Sequence, residues 1–91
     1  MTTLAVRHTV EDFDQWSTGY KEHGEVRRSH GATGDRVLRD GNHVLALIDF
    51  PDAASAAAFQ ADPSLRDAMQ HAGVVGAPDI SVWTESSQER Y

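Results

Sequence analysis

The chain contains no cysteine. That excludes disulfides, thiolate nucleophiles and thiolate metal sites together, leaving histidine, carboxylates, tyrosine, tryptophan and the backbone as sources of chemistry. It also fits a reducing compartment. No apolar run reaches membrane-spanning length, and the start Met1-Thr2-Thr3-Leu4-Ala5-Val6 has neither the basic nor the long apolar segment of an export signal. The expectation is a cytoplasmic protein that does not contact membrane. No glycine-rich loop follows a strand, which argues against a nucleotide cofactor. Positive charge is scarce: 8 Lys and Arg against 14 Asp and Glu give a formal net charge of -6. Because the arginines are also dispersed, a phosphate-backbone surface and a nucleic-acid partner are not expected. Among the 5 histidines there is no His-x-His or His-Glu-x-x-His spacing, so no metal site is expected. A haem would need a large cavity with an axial histidine, for which the chain is short. The expected cofactor is none.

What is present is one conspicuous apolar segment. Val44-Leu45-Ala46-Leu47-Ile48-Asp49-Phe50 is apolar on both parities of a strand, so both of its faces need cover. The 91 residues make one small domain, near the size at which a core is adequate only with help from a partner. Residues 1–85 form that domain, and the polar Ser86 to Tyr91 segment is a tail.

Thr3 to Thr9 alternates with period two and reads as a strand. From Glu11 to His30 the period changes, with Val10, Phe13, Ser17, Tyr20, Gly24 and Arg27 at three- and four-residue spacing, predicting one amphipathic helix of about five turns. Acidic residues near its start and basic ones near its end suit the helix dipole, and Gly31 stops it. Thr33 to Asp40 is a polar strand suited to an edge. Asp40-Gly41-Asn42 turns it into the apolar strand His43 to Phe50. Pro51 ends that strand, and Asp52 caps an alanine-rich helix that Asp62-Pro63-Ser64 interrupts before a further helix from Leu65 to Ala72. Gly76-Ala77-Pro78 reads as a loop, and Ile80 to Thr84 as the last strand.

The order is β-α-β-β-α-β, which predicts an α+β, ferredoxin-like domain: a four-stranded antiparallel sheet with both helical segments on one face. Nothing in the chain remains to cover the other face of the apolar strand. A second copy is the simplest cover, so a homodimer through the sheet faces is expected, with Trp83 facing the partner.

Trp16, Tyr20 and His23 fall at i, i+4 and i+7, on one helical stripe, with His8 ending the first strand on the parity of Leu4 and Val6. The pattern fits an aromatic pocket with two imidazoles for proton transfer. It equally fits core aromatics with histidines as hydrogen-bonded spacers. Arg27 either orients a ligand oxygen or complements the helix C-terminal dipole. Phe13, Phe59 and Met69 anchor the helices to the sheet, with Phe13 also counted to the substrate wall. Asp49 is expected at the strand end near Arg7 or Arg39.

Placed on this layout, four stretches resemble small bacterial proteins of the dimeric α/β-barrel superfamily, which includes the antibiotic-biosynthesis monooxygenases and polyketide cyclases. They are His8-Thr9-Val10-Glu11-Asp12-Phe13-Asp14-Gln15-Trp16, His23 with Arg27, His30-Gly31-Ala32-Thr33-Gly34, and Phe59 to Met69 with Ala72-Gly73-Val74. The resemblance implies a dimer with sheets packed face to face, closing an α/β barrel, and a ligand cavity between helices and sheet in each subunit. His8, Trp16, His23 and Arg27 match its motif, and Tyr20 stands where an aromatic is expected. The implied function is a cofactor-independent monooxygenase or cyclase acting on a hydrophobic, aromatic or polyketide-like metabolite. His8, His23 and Tyr20 would be catalytic, and Trp16, Arg27 and Phe13 would bind substrate. The alternative is a non-catalytic small-molecule binding or stress-associated protein with the same pocket.

Overall fold

Alternating residues at the start of the chain build strand β1, Thr2–Val10, in which Thr2, Leu4, Val6, His8 and Val10 are buried on one face. The computed structural model covers residues 1–91 and continues with helices α1, Phe13–Glu22, and α2, Gly24–Ser29. Strands β2, Gly34–Asp40, and β3, His43–Phe50, form a hairpin across Gly41, whose positive φ of 58° suits the tight turn. Helices α3, Ala53–Gln60, and α4, Pro63–His71, follow, and strand β4, Val74–Thr84, closes the sheet. The sheet order is β2-β3-β1-β4, antiparallel throughout, so the apolar β3 is internal and the polar β2 lies at an edge. This is the ferredoxin-like arrangement, elaborated to β-α-α-β-β-α-α-β.

Three expectations about the elements are corrected. The single helix from Glu11 to His30 is broken at His23, which takes φ -82° and ψ 2° and serves as the end of α1 and the start of α2. The break leaves the Tyr20 carbonyl in the last turn of α1 short of a helical partner, and Arg27 Nη2 donates to it at 2.6 Å. A periodic pattern does not reveal such a break, because the residues beyond it keep the same face. The expected loop Gly76-Ala77-Pro78 lies inside β4. The register against β1 shifts between Arg7↔Asp79 and Thr9↔Val75, a bulge where Gly76 adopts φ 73° and a proline is tolerated. Asp49 accepts a 2.7 Å hydrogen bond from the Thr3 hydroxyl and meets neither Arg7 nor Arg39. The register puts Thr3 opposite Asp49, whereas Arg7 faces Leu45 and Arg39 faces Val44.

The main core joins Leu4, Val6, Ala46, Ile48 and Phe50 of the sheet to Ala56 and Phe59 of α3. Phe59 anchors its helix as expected. Phe13 and Met69 are only partly buried and flank core clusters. Phe13 sits in the first turn of α1 with its ring under the Arg39 guanidinium, 3.9 Å from the centroid. Helices α1 and α4 approach closely because Gly19 has no side chain: a Cβ there would come within 3.1 Å of the Ala72 Cβ.

The helix-free face carries Ala5, Leu38, Leu45, Leu47, Val75 and Trp83 by register parity. Of these, Leu38 is 42%, Val75 50% and Trp83 62% exposed. Residues beyond Thr84 form no helix or strand and are exposed. No helix is long and apolar enough to cross a membrane.

Candidate active site

Between the helix-bearing face of the sheet and helices α1, α3 and α4 lies an apolar cavity of about 40 Å³. Its walls bring together residues from distant segments: His8 from β1, Trp16, Gly19 and Tyr20 from α1, and Phe59 from α3. Leu65, Ala68 and Met69 of α4 close the side facing away from the sheet, and His23 and Arg27 line the region of the helix break.

His8 is the chemically unusual member. Its side chain points to the helix face because it shares the parity of Leu4 and Val6, and it is 7% exposed. The β4 bulge falls beside it, leaving no β4 residue in register with it. Both ring nitrogens, Nδ1 and Nε2, are buried and have no hydrogen-bond partner. Its only aromatic neighbour is Trp16, edge-on at 5.5 Å between centroids. A buried imidazole normally satisfies at least one nitrogen, since leaving a buried polar group unpaired costs about 1–3 kcal/mol. Burial pushes the His8 pKa below its ordinary value, so at neutral pH the ring is neutral and presents one acceptor nitrogen and one donor.

Trp16 and Tyr20 stack at 4.8 Å with 22° between their planes, and the Arg27 guanidinium covers the other part of this column, 3.6 Å from the Tyr20 centroid. The i, i+4 spacing on α1 sets the stack. The Tyr20 hydroxyl donates to Asp35 Oδ2 at 2.6 Å. Burial and this bond together drive its pKa well above the usual phenol range, so Tyr20 keeps its proton. His23 is tied to the first turn of α4 through Ser64 Oγ at 2.9 Å. Its pKa is lowered, first by burial and then by the Arg27 charge, with Asp62 opposing. Beside it, His30 Nε2 lies 2.8 Å from Asp62 Oδ2, and the bonds Asp62 receives from His30 and Ser64 hold its carboxyl down at about 2.

Of the six residues singled out in the sequence, the structure therefore gathers His8, Trp16, Tyr20, His23 and Arg27 around one cavity. Phe13 is not on its wall; it packs against the outer side of Trp16, at 5.8 Å. Arg27 borders the cavity, and its guanidinium donates to the Tyr20 carbonyl at the end of α1. Sequence reasoning assigned Phe59 and Met69 to packing alone, and it passed over Gly19, Leu65 and Ala68. Gly19 marks the close approach of α1 to α4, and Ala68, a small residue on the cavity wall, is the one signal of room there. No three His, Asp or Glu side chains converge as metal ligands would.

The buried histidines make stability depend on pH. As pH falls, the unfolded chain takes up protons on residues 8 and 23 near the ordinary value of about 6.5, before the folded chain does. Stability is therefore full above about pH 6.5 and declines as pH drops toward the lower native values. His8→Leu is expected to flatten this decline between pH 7 and 5, measured as urea midpoints at each pH. An unchanged slope in the variant would mean that His8 does not titrate differently on folding.

A four-stranded antiparallel sheet with all helices on one face, and a cavity between the two layers, defines the ferredoxin-like α+β class. Within that class, the chain shares its fold with solved antibiotic biosynthesis monooxygenases. SnoaB, a cofactor-independent oxygenase from Streptomyces nogalater, superposes with a TM-score of 0.79 at 14% identity, over 96% of this chain and 94% of its own. A structure described as an antibiotic biosynthesis monooxygenase gives 0.71 at 14% identity, over 96% of this chain and 100% of its own. A conserved protein from Methanosarcina mazei gives 0.74 at 11% identity, over 93% and 92%. At these identities the likeness is one of fold. No family model and no curated protein matches the chain in sequence.

Proposed function

We propose that this protein is a cofactor-independent enzyme of the monooxygenase or cyclase type, acting on a hydrophobic aromatic or polyketide-like molecule in the His8 cavity. The observation that carries the reading is His8: an imidazole kept neutral by burial, with two unpartnered nitrogens, in an otherwise apolar cavity. Such a group is poised to accept a proton from a phenolic or enolic substrate in a site from which water is largely excluded. The anion so formed is the species that reacts with dioxygen or closes a ring. Trp16 and Tyr20 supply a flat wall, Arg27 lies where a developing oxyanion is stabilised, and His23 shapes the helix-break side of the cavity. The cofactor-independent oxygenase with the same fold supports the reaction class.

The functional unit in this proposal is a homodimer closed through the helix-free sheet faces. Its support is the apolar set on that face, with Trp83 and Val75 at least half exposed.

Turnover is tested by oxygen uptake and product analysis with a panel of phenolic and enolic polycyclic compounds, with no cofactor added. His8→Ala is expected to lower the rate by about 10²–10⁴-fold, the usual contribution of a general base, while leaving the melting temperature nearly intact. Full activity in this variant on a confirmed substrate would exclude the imidazole base. The alternative is a binding protein without turnover that uses the same cavity. At about 40 Å³ the cavity is well below the ~300–1,000 Å³ of most ligand sites, so on either reading the helices must yield to admit a ligand. A ligand retained and recovered unchanged would select the alternative.

A further inference from the structure

Next to the apolar cavity, and sharing Arg27 and Ile48 with it, is a polar chamber of about 250 Å³. It is bordered by Gly24, Arg28, Thr33 and Asp35 at the shoulder between α2 and β2. Two guanidinium groups converge here. Both guanidinium groups fold back over Gly24, one helical turn away: the point that a Cβ there would occupy is 3.4 Å from Arg27 Nη2 and 3.3 Å from Arg28 Nη1.

Neither cation has a close, buried ion-pair partner, although the Asp35 carboxylate acts on Arg27 across the chamber. Arg27 is 8% exposed, yet no carboxylate lies within 4.0 Å of it. Its hydrogen bond within the chain goes to the Tyr20 carbonyl, leaving most of its five N–H donors unused. Arg28 meets Glu25 at 3.9 Å, with side chains 68% and 91% exposed, a pairing that holds little. The one acid on the chamber wall, Asp35, accepts from the neutral Tyr20 hydroxyl, so the chamber sets two cations against one carboxylate. Buried arginines are ordinarily paired, and two like charges aimed at one place repel unless an anion lies between them.

We infer that this chamber is an anion subsite for the carboxylate of the ligand, so that the molecule bound is a hydrophobic, aromatic carboxylic acid. Its flat body occupies the His8 side, and its carboxylate takes parallel N–H bonds from Arg27 and Arg28, the geometry a guanidinium fork provides. The two chambers share Arg27 and Ile48 as wall residues, which sets a carboxylate held in one beside an aromatic body on the other side. Two cations with one acid beside them suit a single carboxylate, and the net charge of -6 disfavours a polyanion. This inference rests on the reading of the cavity as a ligand site.

Calorimetric titration of the full chain with 2-naphthoate and with 2-naphthamide separates the two readings. The acid is expected to bind at least tenfold more tightly than the neutral amide. Arg28→Gln, at an exposed side chain, is expected to remove that preference while leaving the affinity for the amide and the melting temperature unchanged. Arg27→Gln should also remove the preference, with circular dichroism confirming that it folds; because Arg27 borders the apolar cavity as well, its affinity for the amide falls too. Equal affinity for acid and amide, or a preference that survives Arg28→Gln, overturns the anion subsite and leaves the apolar cavity as a ligand site. Binding of neither compound counts against both.

Discussion

Leu47→Asp gives a folded monomer. Leu47 belongs to β3, whose buried residues Val44, Ala46, Ile48 and Phe50 all face the helices, so Leu47 faces the other way. It lies opposite Ala5 on β1 and Arg36 on β2, at the middle of the helix-free face. An aspartate there leaves the internal core untouched, but in a face-to-face dimer it sets a charge against the partner's apolar surface, where mismatched charge costs several kcal/mol. Light scattering at low micromolar concentration is expected to show about half the mass of the parent protein, with an unchanged circular dichroism spectrum. If the parent already runs as a monomer, or the variant stays dimeric, the sheet-to-sheet dimer is wrong.

Phe59→Ala has the other large effect. Phe59 is 1% exposed, packs on Phe50 at 5.6 Å between centroids, and touches both His23 and His30 rings at 6.0 Å. Removing a buried phenylalanine costs about 3–5 kcal/mol, and here the new void adjoins an existing one, so collapse offsets little of it. A domain of this length has a total stability of about 5–14 kcal/mol, so the variant is close to unfolding. Phe13→Ala should cost clearly less, because its ring is only partly buried and packs on the outer side of Trp16. Urea unfolding of the two variants side by side measures the difference, and equal losses would contradict this division.

The architecture was legible because its signals are local and redundant. The turn at Gly41, the caps Asp52 and Asp62, the proline opening α4 and the two-sided apolar β3 each constrain the chain on their own, and all agree. The errors came where long-range geometry overrides a local pattern. Helical periodicity runs through His23 unchanged, so only the tertiary contacts of Arg27 reveal two helices. Gly76-Ala77-Pro78 looks like a loop by composition, yet pairing with β1 on either side draws it into the strand as a bulge.

The candidate site divides in the same way. The stripe of Trp16, Tyr20, His23 and Arg27 follows from helix spacing, and strand parity placed His8 on the same face. That His8 lacks any partner could not be read, because hydrogen bonding in the core depends on every element around it. Phe13 was misplaced for a simpler reason: spacing gives its face but not how far the cavity extends toward the start of α1. The approach of Arg27 and Arg28 to Gly24 follows from helix spacing, since they lie three and four residues on, but that Arg27 is buried without a close carboxylate depends on the surrounding elements and was hidden.

The cavity beside His8 has a consequence for mechanical behaviour under compression. Voids inside a folded chain vanish when it opens, so hydrostatic pressure drives the equilibrium toward the unfolded form in proportion to the volume lost. A hollow of about 40 Å³ in a chain of 91 residues is a sizeable share of such volume. Whatever molecule occupies it makes the fold denser as well as more stable, so that occupancy and resistance to compression rise together.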